Sequence, residues 1–153
     1  MSVALDSMYQ QLIIDHYKRP QHHGLPADFD AEVHHVNPTC GDEVTLRVRL
    51  ADGTLADLGW EGEGCSISQA STSMMSELVV GKPVAEALDL QQRFLRLMQS
   101  QGQAELSEAD ADALEDAVAF AGVSKYPARV KCALLGWMAM KSALAEVTTE
   151  EQR

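Results

Sequence analysis

Val44-Thr45-Leu46-Arg47-Val48-Arg49-Leu50, then Ala51-Asp52-Gly53, then Thr54-Leu55-Ala56-Asp57-Leu58-Gly59-Trp60 is the stretch on which the fold of this 153-residue chain turns. Apolar and polar side chains alternate through its first part, the period of a strand with one face buried. Val44, Leu46, Val48 and Leu50 take one face, and Thr45, Arg47 and Arg49 the other. Ala56, Leu58 and Trp60 continue the alternation beyond a turn-forming Asp-Gly, so the whole reads as a β-hairpin. Residues opposed in a hairpin share a face. A two-residue Asp52-Gly53 loop would set Val48 against Asp57 and mix the faces. A three-residue loop, Ala51-Asp52-Gly53, pairs Leu50 with Thr54, Val48 with Ala56, Leu46 with Leu58 and Val44 with Trp60, and is the loop expected.

Upstream, residues 31 to 37 alternate in the same way and supply a further strand. Around these strands the period becomes helical. Leu5, Met8, Tyr9, Leu12, Ile13 and His16 recur at spacings of three and four over residues 3 to 18, before Pro20 and Gly24 end the helix. Ile67, Ala70, Met74 and Leu78 mark a helix from Ser66 to a Gly81-Lys82-Pro83 stop, and another spans 84 to 99. Ser107-Glu108-Ala109-Asp110 resembles a capping box that opens a helix toward Phe120, with Gly122 closing it. Pro127 suits the first turn of a last helix carrying Val130, Leu134, Trp137, Met138 and Leu144. Strands followed by helices predict an α+β fold, a small antiparallel three-stranded sheet with helices packed on one face. Residues 1–147 form one domain in this reading, and 148–153 a fraying tail.

Composition bounds the function. An apolar content of 46% supports a real core, and a formal net charge of -11 with scattered cations argues against nucleic acid as a partner. No basic leader precedes an apolar run, and no run of about 18 apolar residues occurs, so neither membrane insertion nor export is expected and the cytoplasm is. Three cysteines in a reducing compartment suggest metal or thiol chemistry rather than a disulfide framework.

Cys40 lies in Asn37-Pro38-Thr39-Cys40-Gly41-Asp42, a turn with a carboxylate two residues beyond the thiol. Cys65 lies in Gly62-Glu63-Gly64-Cys65-Ser66, where a strand gives way to a helix and its sulfur meets the positive end of a helix dipole. Cys132 follows Arg129 and Lys131 within one turn. A hairpin that brings its ends together draws Cys40 and Cys65 near each other, and packing of the last helix has only Cys132 to add. With Asp42 these thiols make up a tetrahedral zinc set. An Asp beside a glycine also serves as a plain turn residue, and the cysteines read equally as buried free thiols. His34 and His35 point to opposite faces of a strand, His16 fits the inner face of the first helix, and His22 and His23 lack ligand spacing.

Asp15-His16-Tyr17-Lys18-Arg19-Pro20, Asn37 to Asp42, Gly64-Cys65-Ser66-Ile67-Ser68-Gln69-Ala70-Ser71 and Pro127-Ala128-Arg129-Val130-Lys131-Cys132-Ala133 together resemble the IscU/NifU N-terminal iron-sulfur scaffold superfamily, and its SufU branch in particular. Lys131 stands where scaffolds of the family carry a histidine, and the 84–123 stretch looks like the insertion of that branch. The resemblance implies that Cys40, Asp42, Cys65 and Cys132 bind one Zn2+. It also implies that Cys40 accepts persulfide sulfur from a SufS-type cysteine desulfurase and passes it to downstream iron-sulfur assembly proteins. Arg129, one helical turn before Cys132, reads as an auxiliary to the thiolate or to partner contact, or as one half of a surface salt bridge. The alternative the resemblance carries is a scaffold on which a [2Fe-2S] cluster is transiently assembled.

Overall fold

A computed structural model describes residues 3–39, 41–103 and 106–151, and the side chains of 7–39, 41–103 and 106–148. Helix α1 (Val3–Lys18) precedes a three-stranded antiparallel sheet in the order β1 (Ala31–Asn37), β2 (Asp42–Ala51), β3 (Thr54–Glu63). Helices α2 (Ser66–Val79), α3 (Val84–Gln99) and α4 (Glu108–Leu114) follow, then a 3-10 stretch, Glu115–Lys125, and α5 (Pro127–Glu151). The expected α+β class and strand and helix order are all present. No helix of the described residues is long and apolar enough to cross a membrane.

The hairpin register departs from the expectation. Ala51 pairs with Thr54 and Leu50 with Leu55, so the loop is the two-residue Asp52-Gly53. Both loop residues take left-handed backbone, φ 53° at Asp52 and 76° at Gly53, which matches the right-handed strand twist. The mixing of faces is avoided by an irregularity between Arg49 and Leu50: Arg49 pairs with Asp57, leaving Ala56 as an extra residue. Val48 therefore opposes Leu58 and Leu46 opposes Trp60. Leu55, Leu58 and Trp60 are the buried apolar side chains of β3, spaced three and then two apart, where Ala56 had been expected inside.

Helices cover the face that carries Val44, Leu46, Val48, Leu58 and Trp60, with α5 lying across β1 and β2 and α2 packed between α1 and α5. The closeness of α2 and α5 depends on Gly136, where a Cβ would collide with the side chain of Thr72. Two bonds fix their register: the Ser71 hydroxyl donates to the carbonyl of Ala133 at 2.6 Å, and the Trp137 indole donates to Ser71 Oγ at 3.1 Å. His16 is a satisfied core histidine as expected, its Nδ1 2.7 Å from Ser73 Oγ, and the same oxygen accepts from the amide of Gln21.

The 84–123 stretch is part of the core. Phe94 of α3 stacks on Trp137 of α5 with ring centroids 4.5 Å apart, and Phe120 meets Phe94 edge-on. Ser107 caps α4 as predicted, accepting from the amide of Asp110 at 3.0 Å. The helix does not run on to Phe120, however: Glu115 sits at φ 48° and ends it at Leu114. Leu114, Ala117 and Phe120, all buried, are three residues apart and stack on one face of a three-residue turn, so the chain continues as 3-10 helix. At the C-terminus α5 continues past Thr148, where a tail had been expected to begin, and Thr148 Oγ1 donates to the carbonyl of Leu144 at 2.9 Å.

Candidate metal and sulfur-handling site

Three of the four expected ligands converge. The ligand atoms of Asp42, Cys65 and Cys132 all lie within 4.8 Å of one another, and they are the group of three or more His, Cys, Asp and Glu side chains with such closeness among the described residues. Cys40 lies outside the described residues. The loop that carries it is short and its base is built: Asn37 pairs with Asp42, the amide of Gly41 donates to the carbonyl of Asn37 at 2.8 Å, and Gly41 takes φ +74°. Asn37 Oδ1 accepts from the amide of Thr39 at 3.2 Å, a local turn of the kind Asn-Pro promotes.

Each element delivers one ligand for a local reason. Asp42 opens β2 and is 3% exposed. Cys65 is the residue at the N-terminal cap of α2, in extended backbone, and its side chain makes no cap bond, which leaves the sulfur directed to the site. Asp42 takes over instead: its Oδ1 accepts from the Cys65 amide at 3.1 Å and its Oδ2 from the Cys65 thiol at 3.4 Å. Cys132, 1% exposed, lies in the second turn of α5, its thiol 3.6 Å from the carbonyl of Ala128. The α2–α5 bonds through Ser71 thus set the spacing of the two sulfurs.

Two neighbours of the site have no role assigned from the sequence. A Cβ on Gly64 would come 2.6 Å from Ser68 Oγ and 2.7 Å from Asp42 Oδ1, so the glycine makes room for the carboxylate. Ser68 Oγ donates to the carbonyl of Cys65 at 3.0 Å and stands 4.0 Å from its sulfur. The Gly-Cys-Ser-x-Ser pattern is the trace these roles leave in the chain.

The donor set fits zinc. Two sulfurs and one carboxylate oxygen are borderline-soft and anionic when deprotonated, and tetrahedral coordination at Zn–S of about 2.3 Å puts two sulfurs about 3.8 Å apart, inside the 4.8 Å that bounds these atoms. The histidines stay out of the set: His34 is exposed and bonded to Thr45 Oγ1 at 2.8 Å, and His23 sits edge-on to Trp60. Arg129 is exposed on the first turn of α5 and makes no ion pair among the described residues.

Comparison with known proteins agrees. The chain is 42% identical over 142 residues to the zinc-dependent sulfurtransferase SufU of Bacillus subtilis, covering 93% of this chain and 92% of that one. It is 41% identical to the iron-sulfur cluster assembly scaffold protein IscU of Streptococcus pyogenes, over 92% of this chain and 84% of the relative. A crystal structure described as an iron-sulfur cluster assembly scaffold protein for the SUF system, from Fervidobacterium islandicum, superposes with a TM-score of 0.80 at 35% identity, covering 90% of this chain and 97% of that one. The model of the NifU-like N-terminal domain matches residues 8–148, and with the fold and thiol site described above the chain belongs to that family.

Proposed function

We propose that this chain is a zinc-dependent sulfurtransferase that takes persulfide sulfur from a SufS-type cysteine desulfurase for iron-sulfur cluster assembly, working in the cytoplasm within a SUF-type system. The observation that carries the reading is the convergence of Asp42, Cys65 and Cys132 beside the loop that bears Cys40. Its likeness to a protein named as a zinc-dependent sulfurtransferase supports it.

In the transfer, the Cys40 thiolate attacks the outer sulfur of the enzyme-bound persulfide. The enzyme's S–S bond breaks, a new S–S bond forms on Cys40, and the enzyme's cysteine leaves as thiolate, so no net electrons move. Cys40, Asp42, Cys65 and Cys132 would hold the zinc, which when bound keeps thiols deprotonated without redox chemistry of its own. Asp42 Oδ1 holds the Cys65 amide and so fixes the start of α2 at the site. Gly41, at φ +74°, takes the left-handed turn that closes the loop's end.

Sulfide release from cysteine by the cognate desulfurase, with reductant present, tests this. Catalytic amounts of the zinc-loaded chain should stimulate it over many turnovers, and Cys40→Ala should abolish the stimulation. The second reading, a scaffold for a transient [2Fe-2S] cluster, is favoured by the 41% identity to a scaffold protein. It predicts instead that Cys40→Ala chiefly loses cluster retained after anaerobic iron and sulfide loading.

A further inference from the structure

Beside the thiol site, α1, the start of α2, the 3-10 stretch and the start of α5 enclose an open groove of about 520 Å³. Ile13 and Ile67 contribute apolar surface, Tyr9 and Tyr126 aromatic surface, and Lys125 and Arg129 positive charge. Among the described residues no aspartate or glutamate lines it, although the chain has 23 acidic residues against 12 lysines and arginines. Neither Lys125 nor Arg129 makes an ion pair among the described residues. The groove is a local inversion of the chain's overall sign.

We propose that this groove docks an acidic, partly apolar segment of a partner protein. Charge complementarity names the chemistry: two cations over an apolar floor suit carboxylates flanking an apolar side chain, and repel the basic surface that the rest of this acidic molecule attracts. Lys125 ends the 3-10 stretch and Arg129 stands in the first turn of α5, on either side of the extended Tyr126. A small free anion would leave Tyr126, 61% exposed, and the apolar floor open to water, whereas a peptide covers both. Location adds a consequence. Ser66 and Ile67 follow Cys65 directly and Arg129 lies one turn before Cys132, so a docked segment sits against both ligand-bearing helix starts. Ala119, Gly122 and Val123 build one wall, which gives the end of the 84–123 stretch a role beyond filling the core.

The test is a titration of the full zinc-loaded chain, labelled with nitrogen-15, with the peptides acetyl-Glu-Leu-Glu-Leu-amide and acetyl-Lys-Leu-Lys-Leu-amide, followed by amide shifts. The acidic peptide should move Ser66, Ile67, Gly122 and Val123 and leave the outer sheet face unmoved. Added salt should weaken it, and Lys125→Glu should weaken it about tenfold or more while the rest of the spectrum stays folded. Equal shifts from both peptides, no shifts at all, or the same shifts from acetate alone would each overturn the proposal. The readout is peptide binding, so its failure is separate from any failure of sulfur transfer.

Discussion

Asp42 grips Cys65 twice, through Oδ1 to its amide at 3.1 Å and Oδ2 to its thiol at 3.4 Å, joining the start of β2 to the start of α2. The carboxylate is 3% exposed, so these bonds form where water cannot substitute. It serves both as candidate ligand and as the clamp that orients another ligand.

Asp42→Asn and Asp42→Ala should therefore separate the two roles. Asparagine keeps an oxygen for the Cys65 amide but loses the charge, so the fold should hold while zinc retention falls about 10–100-fold. Alanine also orphans the buried amide and should cost about 1–3 kcal/mol in addition. Chelator competition measures the first effect and urea unfolding the second. Equal unfolding midpoints for the two variants would show that the clamp is not holding α2.

Gly64→Ala tests the space around that carboxylate. The added methyl would lie 2.6 Å from Ser68 Oγ and 2.7 Å from Asp42 Oδ1, so the side chains must move apart. Zinc affinity should drop at least about tenfold, as for loss of an orienting contact. The change in thermal midpoint should be small, since Gly64 lies at the site's edge. Retention of full zinc affinity by this variant would mean that Asp42 can move aside without consequence.

The bulge makes an unusual prediction. Deleting Ala56 leaves Leu50 opposite Leu55 and Arg49 opposite Asp57 in a regular ladder, with Leu58 and Trp60 still facing the core. The deletion should be tolerated, costing below about 1.5 kcal/mol. Deleting Gly59 instead shifts Trp60, 1% exposed, to the wrong face and should unfold the chain. Circular dichroism and chemical denaturation of the two deletions decide the matter.

His35, half-buried in β1, titrates below the ordinary histidine value of about 6.5, first because burial disfavours its charged form and then because His34 lies beside it. The unfolded chain thus binds more protons than the folded chain just below neutrality. Stability should fall as pH drops through about 6.5 and level off once the folded His35 is itself protonated. His35→Gln should flatten that part of the profile, and His34→Gln should flatten it less. Denaturant midpoints across mildly acidic pH measure both.

The helices from 3 to 18, 66 to 79 and 84 to 99 were legible because their apolar spacing is local, and the three thiols because Gly, Pro and Asp mark their turns. The hairpin loop was misjudged because parity alone was used: Ala51 to Gly53 satisfies it with no bulge, and nothing in the alternation shows that Ala56 is extra. The 3-10 run was written in the spacing of Leu114, Ala117 and Phe120, yet three-residue spacing is also allowed in an α-helix.

The sequence by itself determined the class of fold, the candidate ligands and the chain's charge, because periodicity, residue type and composition are properties of neighbours along the chain. Only the tertiary structure decided that Asp42 clamps Cys65, that Gly64 leaves it room, and that Lys125 and Arg129 face a groove with no carboxylate among the described residues. Those relations join residues far apart in sequence, brought together by the pairing of β2 with β3 and by the packing of α2 against α5 through Gly136 and Ser71.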